Sequence, residues 1–468
     1  MKRDLSRLVY YHELKNDPIL HRLADISEAV RVMDSDHAVE LVEQAYDVVH
    51  RLLEVATAYG FDKNLWRDYL AFLLITNENP FSLTAEKKGI EGGSVQTFAH
   101  QDMGIFCRLF AYDFAMLEDK LDIDCFSVIT NYKAVPKRAQ NYNRNVSLRV
   151  REVSDAISNV LGKHMIFPGM AENPIRVSPA ADEVLEIISE FYKSYGVGMF
   201  GLNRAFRLGE KEETGEPGGF KDGTYGIAFE PINNTEDVHL SDLVGYEIQK
   251  QKLRENTEAF LRGNRANNCL LYGDAGTGKS TSIKALITEY YDQGLRMIEL
   301  YKHQMQSLSA VISTVKHRNY KFIIYMDDLS FEDFETEYKY LKAVIEGGLE
   351  NRPDNVLIYA TSNRRHLIKE TWNDTADVDL EKHRGDTLQE KLSLVDRFGI
   401  TIPYMKPNKK EYALIVEELA KRVPGLSIDP EELQKEAAKW EVSHGGMSGR
   451  TAQQCIDYLA AKYSDLSS

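Results

Sequence analysis

The chain has 468 residues, of which 43% are hydrophobic and 28% are charged, and its formal net charge is -15. This length allows two or three domains with sizeable cores, and the composition is ordinary for a globular protein. The acidic balance argues against a general binder of nucleic acid or of anionic membranes, although a local basic patch could still act.

Membrane and secretory classes find no support in the sequence. The longest apolar run, Tyr69 to Ile75, is far too short to cross a bilayer, and no apolar segment follows the basic residues after Met1. Cys107, Cys125, Cys269 and Cys455 are scattered and form no metal-type pair. We therefore expect a cytoplasmic protein with reduced thiols and no membrane partner.

Residues 1–204 show helical periodicity and are predicted to form an all-helical N-terminal domain. Leu41, Ala45, Val48, Leu52 and Val55 fall on one face of a helix. The large aromatic residues of this region are interpreted as core rather than as a ligand cage, because aromatic side chains are usually buried.

One segment of this region, Asn131 to Arg151, is basic and contains no acid. Its charged residues are Lys133, Lys137, Arg138, Arg144, Arg149 and Arg151, interleaved with Tyr132 and Tyr142. Such a mixture could hold single-stranded nucleic acid. A solvated loop is the preferred interpretation, because no nucleic-acid-binding motif accompanies the charges.

Residues 205–238 are predicted to be a linker or surface loop. Gly209 to Gly223 is rich in glycine and charge, which is typical of connecting segments. This stretch is the clearest domain boundary in the sequence.

Residues 239–405 alternate predicted strands with predicted helices, the pattern of a parallel sheet covered on both faces. The predicted strands are Cys269–Tyr272, Leu295–Leu300, Phe322–Met326, Val356–Ala360 and Ile400–Tyr404. Residues 406–468 show only helical patterns and are predicted to form a small helical domain that follows the α/β core.

The strongest motif of the chain lies between the first of these strands and the next helix. Gly273-Asp-Ala-Gly-Thr-Gly-Lys-Ser280 matches the phosphate-binding pattern G-x-x-x-x-G-K-[ST]. Its glycines can adopt positive φ, so that backbone N–H groups turn inward around an anion at a helix N-terminus. The residues predicted to bind nucleotide are Gly273, Asp274, Ala275, Gly276, Thr277, Gly278, Lys279, Ser280 and Thr281.

Two acids follow the strand Phe322–Met326 directly, at the end where open α/β sheets bind ligands. We assign Asp327 to Mg²⁺, together with the Ser280 hydroxyl, and Asp328 to the attacking water. The acid-bearing strand is expected to lie beside the loop strand or one away from it, which leaves the strand ending at Ala360 to come between them. Asn363 would then reach the water or the γ-phosphate.

Several arginines are candidates for stabilising phosphoryl charge in the transition state. Arg397 precedes the last strand and would act in cis or from a neighbouring subunit. Arg450 begins a helix of the C-terminal domain and could close that domain over the nucleotide. Arg364 and Arg365 are further candidates that the sequence does not rank.

These motifs together resemble the AAA+ ATPases. Gly273–Ser280 resembles the Walker A loop of that superfamily, and Asp327 with Asp328 resembles its Walker B acids. Asn363 is similar to sensor 1 and Arg450 to sensor 2. Ser393–Gly399 is similar to the box that carries the arginine finger, and its sequence Asp-Arg-Phe-Gly is similar to that of the Holliday-junction branch-migration motor. Leu243-Val244-Gly245 is similar to the box whose backbone contacts adenine.

A narrower resemblance is to an uncharacterised bacterial family of predicted AAA+ ATPases, and it is strong from about Leu240 to the end of the chain. It is carried by Asn256–Phe260, Asp327–Phe331, Thr361–His366 and Ser448–Thr451. Weaker similarity extends to Tyr195–Phe200 and to Ala205–Arg207.

The resemblance implies a P-loop core with a five-stranded parallel sheet between helices, a C-terminal helical lid and the N-terminal helical domain. It also implies ATP, Mg²⁺, a homo-oligomer in which an arginine acts in trans, and a macromolecular client. The second Walker B acid is usually Glu, whereas Asp328 is a methylene shorter.

Three functions remain open from the sequence. The first is Mg-ATP hydrolysis coupled to remodelling of an unidentified protein client. The second is an ATP-dependent switch or scaffold that turns over slowly, which Asp328 favours slightly. The third is a nucleic-acid remodeller akin to helicase loaders, which predicts salt-sensitive binding through Lys133–Arg151.

Overall fold

The structure is a computed structural model. It describes the chain except for residues 33–37, 89–92, 134–143, 165, 167–173, 210–227, 234, 236, 332–336, 347–352, 364–366, 368–393, 427 and 465–468. The described chain divides into two compact units, one built mainly on Met1–Asn203 and the other mainly on Thr235–Ser468.

The first unit is helical, as predicted for the N-terminal part of the chain. Its helices are α1 (Lys2–Leu5), α2 (Pro18–Ala29), α3 (Ala38–Tyr59), α4 (Leu65–Thr76), α5 (Pro80–Lys88), α6 (Gly93–Phe110), α7 (Ala115–Leu121), α8 (Cys125–Thr130), α9 (Arg144–Lys163), α10 (Pro174–Tyr195) and α11 (Gly198–Leu202). Short 3₁₀ helices occupy His12–Asn16 and Val30–Val32.

Local chemistry explains where these helices begin and what they bury. Asp17 caps α2 by accepting hydrogen bonds from the backbone N–H groups of Ile19 and Leu20, and Pro18 occupies the first turn. The apolar face predicted for α3 is buried from Leu41 to Val55. Most of the described aromatic residues are core residues as expected, with Trp66 among the largest fully buried side chains, whereas Tyr46 and Phe98 are exposed.

The basic segment of this unit is only partly described, because residues 134–143 lie outside the described chain. Arg149 forms an ion pair with Glu152 at 2.8 Å, and its guanidinium lies 3.6 Å from the ring centroid of Tyr195. Helix α9 (Arg144–Lys163) includes the end of the segment, so the expected solvated loop is wrong for that part, and Arg149 is engaged within its own unit.

The second unit is organised around a seven-stranded sheet in the described residues, with strand order β2-β1-β4-β5-β6-β3-β7. The strands are β1 (Ala205–Gly209), β2 (Ala228–Pro231), β3 (Cys269–Gly273), β4 (Leu295–Glu299), β5 (Lys321–Met326), β6 (Val356–Ser362) and β7 (Ile400–Tyr404). The pairs from β1 to β7 through β4, β5, β6 and β3 are all parallel. The predicted position of β6 between the acid-bearing strand β5 and the loop strand β3 is confirmed.

The sheet is larger than the five strands predicted, because the segment assigned to a linker contributes two of its own. In β1, Phe206 is buried and lies against Phe229 of β2, with ring centroids 6.5 Å apart. Arg207 and Glu230 form an ion pair at 2.8 Å between the same strands. These strands are short and flank a glycine-rich, charged stretch, so the linker signal concealed them in the sequence.

The helices of the second unit are α12 (Glu247–Leu261), α13 (Lys279–Tyr290), α14 (Leu308–Val315), α15 (Tyr338–Glu346), α16 (Lys409–Lys421), α17 (Pro430–Ser443) and α18 (Gly449–Ser464). Short 3₁₀ helices occupy Leu240–Asp242, Tyr291–Gln293 and Lys302–Ser307.

The last three helices, α16 to α18, form the predicted helical lid. They share a hydrophobic cluster that includes Val416, Ala437, Ile456 and Leu459. Asn408 caps α16 with a reciprocal capping box, which fixes where the lid begins after β7. Within the described ranges, the structure contains no helix whose length and apolar character would let it cross a membrane.

Candidate active site

The loop between β3 and α13 has the backbone geometry that the phosphate-binding pattern requires. Gly273, Gly276 and Gly278 all have positive φ, at 135°, 76° and 90°. Gly278 stands at the N-cap of α13, so the helix begins at Lys279 with its first N–H groups directed at the loop. This arrangement is suited to binding an anion.

Each of the three glycines also lies where another part of the chain approaches closely. A Cβ at Gly273 would collide with the backbone of Tyr404 in β7, and one at Gly278 would collide with the side chain of Leu243. A Cβ at Gly276 would lie 2.9 Å from Ser448 Oγ, at the start of the lid helix α18. The loop is therefore enclosed by the sheet, by the segment before α12 and by the lid.

Lys279 is almost fully buried, with 6% of its surface exposed, and its ammonium group is held at the mouth of the loop. Its Nζ donates to the carbonyl oxygens of Gly273 at 2.9 Å and Asp274 at 2.7 Å, and to Asn363 Oδ1 at 3.0 Å. Burial lowers the pKa of Lys279, and the nearby Asp274, Asp328 and Asp327 carboxylates oppose that shift. A buried cation held in this way is suited to pairing with phosphate charge.

Asp327 collects hydrogen bonds at the carboxyl end of β5. Its Oδ1 accepts from Ser280 Oγ at 2.6 Å, from Thr361 Oγ1 at 2.6 Å and from the backbone N–H of Asp328 at 3.2 Å. Burial raises the pKa of this carboxyl group, but the hydrogen bonds from Ser280 and Thr361 outweigh burial, so its pKa lies below the ordinary value. Asp327 is therefore an anion at neutral pH.

Asp328 is held by both its backbone and its side chain. Its backbone is left-handed, with φ at 47°, which is uncommon for a residue other than glycine. Its N–H donates to Thr361 Oγ1 at 2.9 Å, and its Oδ1 accepts from Asn363 Nδ2 at 2.7 Å. The acid is thus tied to two residues of the β6 end.

A cavity of about 860 Å³ lies over these groups. Its lining combines polar residues of the loop and of the strand ends with the apolar side chains of Leu243, Val244, Ile415 and Leu419. The volume and the mixture of an apolar wall with a few charged groups are typical of small-molecule and cofactor sites.

Most of the predicted site residues line this cavity. They are Val244, Ala275, Gly276, Thr277, Gly278, Lys279, Ser280, Thr281, Asp327, Asp328, Asn363 and Arg450. Gly245, Gly273, Asp274 and Arg397 are not among the described residues that line it. Gly273 and Asp274 instead support the loop, since Asp274 Oδ2 accepts from the backbone N–H of Lys406 at 2.9 Å.

The candidate arginines fall in different places. Arg450 lies at the start of α18, and its backbone N–H donates to Gly276 O at 3.2 Å, which joins the lid to the phosphate loop. Arg397 precedes β7, whose Ile400 pairs with Cys269 at the end of β3 opposite the loop, and it is not among the described residues that line the cavity. Arg364 and Arg365 lie outside the described residues.

The sequence interpretation missed several residues of the cavity. Thr361 is the most informative of them, because its position directly after the apolar part of β6 is the same signal that pointed to Asn363. Ile415, Leu419, Gln453 and Gln454 come from the lid. Their only sequence signal is membership of amphipathic helices, which does not indicate which face meets a ligand.

The donor set at the strand end fits a magnesium ion. Ser280 supplies a hydroxyl and Asp327 a carboxylate within 2.6 Å of each other, beside the loop that would hold phosphate. Mg²⁺ is commonly bound by one or two such oxygens together with substrate phosphates and water. In the described residues no group of three or more His, Cys, Asp or Glu residues could form an all-protein metal site.

Fold and site together define the class of the protein. Five neighbouring strands of the sheet lie in the order β4-β5-β6-β3-β7. The phosphate loop follows β3, the acids follow β5 and a helical lid follows β7. This is a P-loop domain with the AAA+ arrangement. The chain belongs to the family described as "Protein of unknown function (DUF815)", whose model matches residues 220–463.

Solved structures similar to this chain include RuvB proteins of Thermotoga maritima. A RuvB mutant shares 15% identity with a TM-score of 0.34, over 49% of this chain and 71% of that chain. The RuvB Holliday junction branch migration motor shares 16% identity with a TM-score of 0.32, over the same 49% and 71%. None of the curated proteins matches this chain.

Proposed function

We propose that this protein binds Mg-ATP and hydrolyses it to ADP and phosphate, and that hydrolysis drives remodelling of a macromolecular client. The observation that carries the proposal is the 2.6 Å hydrogen bond between Ser280 Oγ of the phosphate loop and Asp327 Oδ1 of the β5 end. It brings the two oxygen groups expected to hold the metal to one point, beside the buried ammonium of Lys279.

Each residue has a distinct role in this mechanism. Lys279 and the loop N–H groups bind the β- and γ-phosphates, while Ser280 and Asp327 hold the metal. Magnesium, when bound, supplies positive charge to the phosphate oxygens as the γ-phosphoryl group transfers. Asp328 and Asn363 orient water, whose oxygen attacks the γ-phosphorus while the bond to the bridging oxygen breaks and ADP leaves with that electron pair. Asp328 accepts the proton of the water.

Arg397 and Arg450 complete the proposal. Arg450 senses the nucleotide from the lid, whose α18 already contacts the loop at Gly276. We propose that Arg397 stabilises the transferring phosphoryl group of a neighbouring subunit, since it lies away from the cavity of its own chain. The active protein is then a homo-oligomer, which we place in the cytoplasm.

A slowly hydrolysing switch is the second candidate, and one contact favours it. Asp328 has a short side chain that accepts a 2.7 Å hydrogen bond from Asn363. This contact occupies a carboxylate oxygen that would otherwise be available to the attacking water, which would slow turnover. Nucleotide binding would then set the position of the lid without rapid turnover.

Phosphate release measured over a range of protein concentrations tests the proposal. The parent should hydrolyse ATP with a rate per subunit that rises with concentration, and Asp328→Asn should bind Mg-ATP without turnover. If the parent binds nucleotide but releases phosphate only at the background rate, and Asp328→Asn does not change that rate, hydrolysis is rejected and the switch is the remaining candidate. Absence of nucleotide binding in the parent would reject both.

Mixing two inactive variants tests the trans arginine. Arg397→Ala retains its own acids, and Asp328→Asn retains its arginine, so mixed oligomers would contain interfaces with both groups. We expect each variant alone to be inactive and the mixture to recover activity. A mixture as inactive as its components would assign Arg397 to another role.

A further inference from the structure

Thr361 occupies a position that joins the two acids of the candidate site. It lies near the end of β6, one residue after Ala360, which pairs with Met326 of β5. Only 1% of its surface is exposed. Its side chain is therefore buried beside the end of β5, where Asp327 and Asp328 follow the strand.

The Thr361 hydroxyl is used in both directions. It donates to Asp327 Oδ1 at 2.6 Å and accepts from the backbone N–H of Asp328 at 2.9 Å. The Thr361 carbonyl oxygen also accepts from the backbone N–H of Leu329 at 2.7 Å. The turn after β5 is thus attached to this one residue by three hydrogen bonds.

The attachment matters because Asp328 has a costly backbone. The left-handed conformation, here with φ at 47°, is sterically unfavourable for an L-residue, although Asp tolerates it better than most. A conformation of this kind persists only where the surroundings impose it. The N–H of Asp328 is held by the Thr361 hydroxyl, so Thr361 helps to set the direction in which the Asp328 side chain leaves the backbone.

We propose that Thr361 is a positioning residue that locks the metal-holding acid Asp327 and the water-orienting acid Asp328 into one unit. This role rests on the proposed Mg-ATP hydrolysis and extends it to a residue that acts through the two acids. The hydroxyl fixes Asp327 Oδ1 toward Ser280 and holds the Asp328 backbone in its left-handed turn. Serine can replace it, because serine retains the hydroxyl, and valine cannot.

Thr361→Val and Thr361→Ser are the test variants, and Tyr359→Phe is the matched control. Valine keeps the branched shape of threonine while removing the hydroxyl. Tyr359 lies on the same strand, and its buried hydroxyl bonds Asn256 Nδ2 at 2.8 Å and Thr257 Oγ1 at 2.9 Å, away from the acids. The control therefore removes a buried hydroxyl from β6 without disturbing the site.

Calorimetric titration with ATP, in EDTA and then in magnesium chloride, gives a readout independent of turnover. All four proteins should bind ATP alike in EDTA, because the loop and Lys279 are intact. In the parent, magnesium should tighten binding, and in Thr361→Val that gain should fall about 10- to 100-fold, the usual effect of removing a group that orients a metal ligand. Thr361→Ser and Tyr359→Phe should keep it.

Steady-state kinetics should separate the same variants. We expect kcat of Thr361→Val to fall about 10- to 100-fold and KM for Mg-ATP to rise together with the loss of magnesium-dependent binding. Thermal melts should show Tyr359→Phe and Thr361→Val both folded and both somewhat destabilised. A purely structural role of Thr361 would instead give the two variants the same kinetics.

The outcomes are distinguishable from those that test the proposed function. A parent that does not bind Mg-ATP, or whose ATP binding magnesium does not tighten, overturns both the function and this role. A parent with the expected magnesium effect and a Thr361→Val variant that matches it overturns the role of Thr361 alone. A Thr361→Ser variant as defective as Thr361→Val does the same, because it would show that the hydroxyl is not what matters.

Discussion

The ammonium of Lys279 donates a 3.0 Å hydrogen bond to the side-chain oxygen of Asn363, which joins the phosphate loop directly to the end of β6. The amide nitrogen of the same Asn363 donates to Asp328 Oδ1 at 2.7 Å. One amide therefore connects the cation expected to bind phosphate with the acid expected to orient water. Movement of Lys279 toward a phosphate group would change the surroundings of Asp328 through this contact.

Replacing Asn363 by Ala should reduce kcat more than it weakens ATP binding, because it removes the connection to Asp328 and leaves the loop intact. Removing one oriented polar group of this kind typically costs about 10²- to 10³-fold in kcat. Asn355→Ala is the control, since Asn355 also bonds through its amide nitrogen but at the opposite end of β6, to carbonyl oxygens including Val315 O at 2.9 Å. Equal loss of kcat in both variants would assign Asn363 a structural role.

Lys279 should destabilise the fold at neutral pH while serving the site. Burial lowers its pKa below 10.5, so the folded protein binds fewer protons than the unfolded chain in the window between the folded pKa and that value. The unfolding free energy of the parent therefore rises with pH through this window, and the cost of burying the charge is fully present below it. Lys279→Met should be more stable than the parent at pH 7.

Urea unfolding of the parent and of Lys279→Met, from pH 7 to pH 10.5, measures this difference. We expect the stability advantage of the variant to shrink as pH rises. Lys252→Met is the control, because Lys252 is exposed on α12. An advantage that stays constant or grows with pH would contradict the assignment of the lowered pKa to Lys279.

The first glycine of the phosphate loop is needed for packing as well as for conformation. Gly273 and Gly294 both have positive φ, at 135° and 90°, but a Cβ at Gly273 would meet the Tyr404 backbone, whereas no atom lies within 4 Å of a Cβ at Gly294. Gly294→Ala should cost about 1 kcal/mol of unfolding free energy from backbone strain alone. Gly273→Ala should cost more, about 3 kcal/mol or higher, because β3 and β7 must also separate. If urea unfolding shows comparable losses of unfolding free energy for Gly273→Ala and Gly294→Ala, the close approach of the Tyr404 backbone adds nothing to the cost at Gly273.

An arginine of the lid holds a segment that lines the cavity. Arg422, which follows α16, donates from its guanidinium to the carbonyl oxygens of Asp242 at 2.6 Å and Ser241 at 3.0 Å. Because Asp242 and Leu243 line the cavity, Arg422→Ala should raise the Kd for ATP several-fold, as expected for hydrogen bonds worth about 0.5 to 1.5 kcal/mol each. Arg262→Ala, at the end of α12, should leave the Kd unchanged. Titration with a fluorescent nucleotide measures the Kd of each variant. Equal Kd values for Arg422→Ala and Arg262→Ala would show that the contacts of Arg422 with Ser241 and Asp242 do not support nucleotide binding.

The sequence predicted the parts of this structure that depend on local chemistry. The phosphate loop could be located because its glycines and Lys279 must follow one another at fixed spacing, and β5 and β6 because buried parallel strands are continuous apolar runs. The acids and Asn363 followed from the rule that ligands bind at the carboxyl ends of parallel strands. These are properties of single segments.

What the sequence did not predict depends on distant parts of the chain. Strands β1 and β2 are short and gain their stability from β4 and from each other, so the glycine-rich stretch between them dominated the local signal. Ile415 and Leu419 line the cavity only because the lid turns one helical face toward it. Thr361 follows the apolar part of β6 in the sequence, but its contacts with both acids depend on the pairing of β5 with β6.

The left-handed backbone of Asp328 predicts that glycine at this position gives a more stable protein than alanine, the reverse of their usual order. Alanine in a left-handed conformation costs about 1 to 2 kcal/mol, whereas glycine adopts it freely. Asp328→Gly should therefore be more stable than Asp328→Ala by about 1 kcal/mol, while both lose turnover equally because both lose the carboxylate. At Arg262, whose φ is -71°, the order should reverse, with Ala more stable than Gly. Urea unfolding of the four variants decides this, and an Asp328→Ala variant as stable as Asp328→Gly would mean that the turn after β5 relaxes out of the left-handed conformation when the side chain is removed.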